Sequence, residues 1–446
     1  MTIRSVKTLP KLPGPAAWNA ILPPQPPSEP LSGPHKADVM VIGGGFAGLS
    51  AARRLKQLEP NAKVVVLEAT RIADGSAGRN SGFMIDLPHE LTSDDYAGAG
   101  DDRAMIALNR QAQAFGRTAV EEYNIDPNYF DQVGKVNGAV SAAAHAHNET
   151  YARHLATLGE TSEMLDHQEM HDLTGSKHYQ SGLYTAGTVM LQPAGYIRGL
   201  AHGLRNQGVA VFENAPVTQL SREGASWTAK TPNGSVSAER AILTVNGHLE
   251  SFGFESGRLM QLFLFAVMTP ELDTETCARL GGKSRWGITP SDPMGTTMRR
   301  IDTGQGGNRI ITRTCAVVAP NARICASQVA RAGKMMQRKF DARFPQLAGI
   351  KMAHAWAGHL CLSLNGVSVM RKLDTGLYSG CVQNGLGTAR GTLTGIGAAE
   401  LACGVQSNIT EHFGAEAAPK RLPPGPLQRI GANALIKYKE WRASND

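Results

Sequence analysis

The chain of 446 residues contains only six cysteines, and no two of them form a CxxC pair. Cys277, Cys315, Cys325, Cys361, Cys381 and Cys403 show no metal-ligand spacing, which excludes a zinc knuckle and a disulfide-stapled secreted domain. They read as scattered reduced thiols, and a reducing cytoplasm is the expected compartment. No segment approaches the roughly 18 consecutive apolar residues that cross a bilayer, and the first residues hold no apolar run of signal-peptide length. The expectation is a soluble protein without integral membrane contact. Like charges never run to five in succession, so the excess of 45 Lys and Arg over 38 Asp and Glu, formally +7, does not read as a nucleic-acid-binding tract. It fits equally a basic surface around an anionic cofactor or substrate. A repeat of fixed period is also missing, which excludes solenoids and propellers.

Hydrophobic residues make up 42% and glycines number 49, an ordinary globular balance with many positions for tight turns. The length exceeds one compact domain, so two interleaved domains are expected. Nine prolines between Pro10 and Pro34 predict an extended arm over residues 1–36, without helix or sheet ladder. Then ADVMVI at 37–42 and KVVVL at 63–67 read as buried strands on either side of a helix at 46–58, a βαβ unit that implies a parallel sheet. Helical patterns follow at 101–123, 142–158, 192–207, 327–344 and 392–403, with strands at 209–214, 227–231 and 240–245. TMRRIDTGQGGNRIITRT at 297–314 places two strand-like runs around a glycine-rich turn, so an antiparallel sheet is expected there. The class is α/β with α+β elements.

Gly43, Gly45 and Gly48 satisfy GxGxxG between the first strand and the helix, and Glu68 follows Gly48 by twenty residues at the end of the second strand. The first glycine allows the tight turn, the second admits a pyrophosphate, and the third lets the helix pack on the strand. The helix N-terminus offers free N–H groups and positive dipole to the diphosphate, while the carboxylate accepts from ribose hydroxyls. This predicts a dinucleotide cradle. NAD and FAD share it, and the motif does not choose between them.

After the acid comes RIADGSAGRNSGF, small residues suited to a backbone lying against a flat ring. Gly75, Ser76, Gly78, Arg79, Asn80 and Gly82 match the GASGRNGG-like loop of the D-amino acid oxidase superfamily, and the region resembles its glycine, sarcosine and γ-glutamylputrescine oxidase branch. TVNGH at 244–248, Trp356 and Gly358, LSLNG at 362–366 and NGLGTARGTLTG at 384–395 extend the resemblance, as does the proline-rich arm. Leu386 departs from the family's usual His, so no imidazole role transfers there.

The resemblance implies a Rossmann-like FAD-binding domain formed by residues 37–100, 190–255 and 350–410. It also implies an interleaved substrate domain, an antiparallel sheet plus helices, formed by 101–189 and 256–349, and a C-terminal extension over 411–446. The implied FAD contacts are Gly43, Gly45, Phe46, Ala47, Gly48, Glu68, Ala69, Arg71, Gly75, Ser76, Arg79, Asn80, Ser81, Val217, Asn246, Gly247, Gly385, Leu386, Gly387 and Thr388. Gly385 and Gly387 permit a turn from which the last helix aims its N–H groups at the flavin N1 and C2 carbonyl, where negative charge develops on reduction. No Cys or His lies in the 75–84 loop; Cys315, Cys361 and Cys381 are positional candidates for a covalent link, and FAD is expected to be non-covalent.

The family chemistry implied is hydride transfer from a carbon next to nitrogen, leaving an imine for water to hydrolyse and electrons for O₂ or another acceptor. Positioning and desolvation dominate such a step, so no catalytic residue is assigned. Arg299, Arg300, Arg309 and Arg313 flank the expected hairpin as partners for a substrate carboxylate or as solvated strand faces. Trp356 stacks near the ring or fills the core, and His354 and His359 assist amine deprotonation or are structural. PLQRIGANALIKYKEW at 426–441 reads as an amphipathic basic helix docked on the protein or meeting anionic lipid. Competing activities are an oxidase, a dehydrogenase with another acceptor, a non-catalytic flavoprotein subunit and an NAD-dependent dehydrogenase. The substrate stays open among primary amines, N-methyl amino acids, D-amino acids and acylated polyamines.

Overall fold

In the computed structural model, residues 2–12, 14–88, 101–292 and 294–443 are described, so the 89–100 part of the expected FAD-binding segment lies outside the described residues. Strand Gly33–Ile42, helix Phe46–Leu58 and strand Val64–Leu67 form as the pattern requires. The two strands pair in parallel, Val39 opposite Val64 and Ile42 opposite Leu67. Their side chains alternate between two cores. Val39, Val41, Val64 and Val66 join Leu49, Leu55, Leu393 and Ile396 from the helices, while Met40, Ile42, Val65 and Leu67 join Trp227, Leu249 and Phe252. Both faces are covered, which is why these strands are continuously apolar.

Strand Gly234–Leu243 extends the parallel pairing on the far side of Gly33–Ile42, and Ala210–Phe212 does so beside Val64–Leu67. With a meander and a late hairpin they make a nine-stranded sheet. The expected hairpin is present as Thr297–Ile301 paired antiparallel with Arg309–Val318, inside an eight-stranded second sheet. Strand His354–Ser363, within the 350–410 stretch, pairs with Leu259–Met268 in this second sheet rather than in the first. The last helix, Ala389–Ala402, packs on Phe46–Leu58. The helical patterns near 102, 142, 193 and 326 also form.

The N-terminal arm departs from its expectation. Thr2–Ser5 precede the first proline and pair with Gln219–Glu223 as an edge strand, and Ala17–Ala20 form a helical turn between Pro15 and Pro23. Proline forbids a ladder only at its own position. The gaps between prolines were long enough for tertiary partners to claim. Trp18, fully buried, donates from Nε1 to the Asn80 carbonyl at 2.8 Å.

Candidate active site

A cavity of about 320 Å³ opens where the two sheets meet. Two helix N-termini face it without side-chain caps, at Gly45 before Phe46–Leu58 and at Thr388 before Ala389–Ala402. Uncapped N–H groups and two positive dipole ends make this region a seat for an anion. Gly43 has φ +111° and Gly48 sits so close to it that an added Cβ would lie 1.7 Å from the Gly43 carbonyl oxygen. No larger side chain is tolerated at the third glycine, as a dinucleotide cradle demands. Glu68 accepts from Gly44 N–H at 2.8 Å and from the Thr70 N–H and hydroxyl at 2.9 Å, which fixes its carboxylate at the cavity wall.

The RNSGF loop is knitted to three parts of the molecule. Arg79 donates to the carbonyls of Asp74, Ala357 and Gly14, and Ser76 donates to the His359 carbonyl at 2.7 Å. Burial lowers the Arg79 guanidinium to about 10, which leaves it charged at neutral pH. It ties the loop to the arm and the second sheet.

Of the residues named from sequence, Gly43, Gly45, Phe46, Ala47, Glu68, Ala69, Gly75, Ser76, Arg79, Asn80, Ser81, Val217, Asn246, Gly385, Gly387 and Thr388 line the cavity, with Arg313 and His359. Four of the expected cofactor contacts do not line it. Gly48 packs the helix against its strand; Gly247 abuts Gln261 and Cys361; Leu386 lies outside the lining. Arg71 is held by Glu213 and by the Pro26 carbonyl. Arg299 and Trp356 lie outside the lining too. Arg299 is buried against the carbonyls of Ser81, Gly82 and Leu191 and the Gln305 amide. Trp356 is a core residue whose Nε1 donates to the Arg79 carbonyl at 3.1 Å. Arg300 and Arg309 donate to backbone carbonyls, and His354 lies outside the lining.

Arg313 differs from its neighbours: no described residue hydrogen-bonds or ion-pairs with its guanidinium. Burial lowers it to about 10, so it carries its charge at neutral pH. It faces the cavity beside Phe263, Leu264, Phe265 and Ala266. The register between Leu259–Met268 and Arg309–Val318 shifts there, at Leu264/Phe265, with Cys315 at φ +63°. Such a bulge re-aims the side chains next to it. His359 donates from Nε2 to Gln261 Oε1 at 2.8 Å, because the Gln261 amide group is already spent on the Gly247 carbonyl and Glu250. Burial, with the neighbouring His248, pushes His359 down to about 3, so it is neutral. Of the three thiols, only Cys361 lines the cavity; burial raises all three, which disfavours the reactive thiolate.

The arm supplies wall residues that sequence reasoning missed. Val6, Thr8, Leu9, Pro10, Lys11 and Leu12 line the cavity together with the glycine elbow. Nothing local signals this, since the arm's apolar residues have no periodicity. His248, the last residue of TVNGH, lines the cavity as well, and burial lowers its pKa.

The probable oxidoreductase OrdL of Rhizobium meliloti is 24% identical over 405 residues, covering 89% of this chain and 90% of that protein. The gamma-glutamylputrescine oxidoreductase of Escherichia coli is 26% identical over 357 residues, 79% of this chain and 80% of that one. Among solved structures, glycine oxidase from Geobacillus kaustophilus superimposes with a TM-score of 0.68 at 16% identity, covering 84% of this chain and 96% of its own. The glycine elbow, the fixed acid and the uncapped helix ends suit a dinucleotide cofactor. Residues 38–401 match the DAO family of FAD dependent oxidoreductases, and the chain belongs to that family.

Proposed function

We propose that the protein oxidises the C–N bond of a small amine that carries a carboxylate, an amino acid or N-substituted amino acid, with non-covalent FAD as electron acceptor. The observation that carries this reading is Arg313: a charged, unpaired guanidinium at a cavity otherwise lined there by Phe263, Leu264, Phe265 and Ala266. A guanidinium drawn partly out of water without a partner is costly, and a bidentate carboxylate offsets that cost. Gly43, Gly45 and Glu68 would hold the diphosphate and ribose; the backbone N–H groups at Gly387 and Thr388 would face the ring's pyrimidine end.

When bound, FAD supplies a two-electron acceptor for the hydride leaving the α-carbon and delivers the electrons to O₂, yielding H₂O₂. The chain's own part is to clamp the carboxylate at Arg313, exclude water with the aromatic wall, and present the α-carbon. His359 is too weak a base to take the amine proton, so the amine enters neutral; His359 serves as a positioning residue through Gln261. Loss of hydride from the neutral amine leaves a C=N iminium that keeps its N–H proton, and water cleaves it to a carbonyl compound and an ammonium ion.

Anaerobic titration of the flavin absorbance with simple amines, sarcosine, D-amino acids and γ-glutamylputrescine tests the reading. Carboxylate-bearing amines should bleach the flavin, and Arg313→Met should remove that selectivity. Failure of every amine to bleach it would sink the proposal. Peroxide yield under air separates O₂ from another acceptor.

A further inference from the structure

Helix Gly425–Arg442 meets the body with polar side chains. Asn433 accepts from Val318 N–H at 2.9 Å and donates to the Val318 carbonyl at 3.2 Å, and Glu440 accepts from Ala316 N–H at 2.8 Å. These backbone groups belong to the part of strand Arg309–Val318 that runs on past its pairing with Thr297–Ile301. The helix therefore closes an open sheet edge, a task that needs polar groups.

The consequence is an inverted helix. A helix packed on a sheet ordinarily turns its apolar stripe inward. Here Leu427, Ile430, Ala434, Leu435, Tyr438 and Trp441 are all exposed, Ile430 by 71% and Trp441 by 70%. At about 100° per residue they share one arc of about 140°. Five of the nine exposed large hydrophobic side chains among the described residues fall on this one helix, so they form a patch rather than scatter. Exposed Lys437 and partly exposed Lys439 flank it, one beyond each edge of the arc. The helix's single carboxylate, Glu440, is turned to the sheet.

Charge decides which partner fits. Apposing the same face of a second copy would bring like charges together, with no acidic side chain outward on this helix to answer them. Anionic headgroups answer them directly, while Tyr438 and Trp441 suit the interfacial zone and the aliphatic side chains the acyl boundary. The formal +7 of the whole chain adds in the same sense. We propose that this outward face docks the protein peripherally on an anionic lipid surface. Arg313 lies three residues before Ala316 on the strand that the helix closes, so docking holds the cavity's carboxylate clamp in fixed relation to the lipid plane.

The test is co-sedimentation of the flavin-loaded protein with phosphatidylglycerol vesicles and with phosphatidylcholine vesicles at low ionic strength. Binding to the first and not the second is expected, falling as salt rises. Ile430→Ser with Trp441→Ser should lower partitioning about 100-fold, and Lys437→Gln about fivefold. All three side chains are exposed and none lines the cavity, so retained flavin absorbance and amine-driven bleaching report an intact fold. Absence of pelleting on phosphatidylglycerol overturns the proposal, as does binding that survives the double variant. Concentration-dependent doubling of mass that Ile430→Glu abolishes, without vesicle binding, would assign the face to a second copy instead and equally overturn it.

Discussion

Arg299 and Arg313 stand on the same face of one hairpin, since Arg299 pairs with Ile311 and Ile311 precedes Arg313 by two residues. Both keep their charge at neutral pH, lowered by burial to about 9 and about 10. Yet Arg299 meets three backbone carbonyls and the Gln305 amide, with its guanidinium 5.1 Å from the Trp18 ring centroid. Arg313 meets no described partner. The difference is not in the strand. It lies in what the rest of the chain lays over each position: the 81–82 loop, Leu191 and the arm above Arg299, and the cavity above Arg313. One cation is structural because its acceptors are built in; the other is available because they are not.

The strongest way to break this contrast is to remove each guanidinium in turn. Arg299→Met should cost about 4 kcal/mol of stability, because it leaves the Leu191 carbonyl and Gln305 buried without their donor. Chemical denaturation measures it, and a loss under 1 kcal/mol would make the two arginines equivalent. Arg313→Met should leave the denaturation midpoint unchanged or raised. It should also lower kcat/KM for a carboxylate-bearing amine about 100-fold, while a simple amine is unaffected. Equal losses on both substrates would remove the clamp.

A third experiment asks whether the neutral His359, which lines the same cavity as Arg313, sets the acid limit. Its folded pKa of about 3 lies below the ordinary 6.5, so between these values the unfolded chain binds a proton that the folded chain refuses. Stability should be flat above pH 6.5 and fall as pH drops from there toward 3, with a slope of up to about 1.4 kcal/mol per pH unit from this group. His359→Gln should flatten that slope in pH-dependent unfolding. An unchanged slope would assign it elsewhere. The smallest effect is expected at the far side of the contrast: Trp18→Phe keeps the ring near Arg299 and loses only the hydrogen bond to the Asn80 carbonyl, worth about 1 kcal/mol. A much larger loss of melting stability would mean that the arm holds the flavin-side loop through more than that bond.

Much of the fold was legible because its signals are local. Continuous apolar runs at 39–42 and 64–67 require burial on both faces, and GxGxxG between them requires a close helix turn. The TGQGGN turn between Arg300 and Arg309 announced a hairpin. What escaped were contacts across long sequence separations. Val6 and residues 8–12 form part of the cavity wall, although proline content alone predicted no more than an extended arm. Trp356 is a core residue and Arg71 an ion-pair partner, yet as letters they looked no different from ligands. Leu386, Gly247 and Gly48 sit in recognisable motifs while serving turns and packing rather than lining.

Trp18 and Trp441 make the same point at the two ends of the chain. One is wholly buried and the other 70% exposed. Neither flanking sequence decides this, because burial depends on whether a distant segment supplies a matching surface. By itself the sequence determined the parallel βαβ unit, the glycine elbow with its acid and the antiparallel hairpin, since periodicity and backbone sterics act within a few residues. Only the tertiary structure decided which arginine is free, which helix face looks outward and which walls enclose the cavity. Those outcomes depend on hydrogen-bond acceptors and apolar surfaces brought together from positions up to hundreds of residues apart.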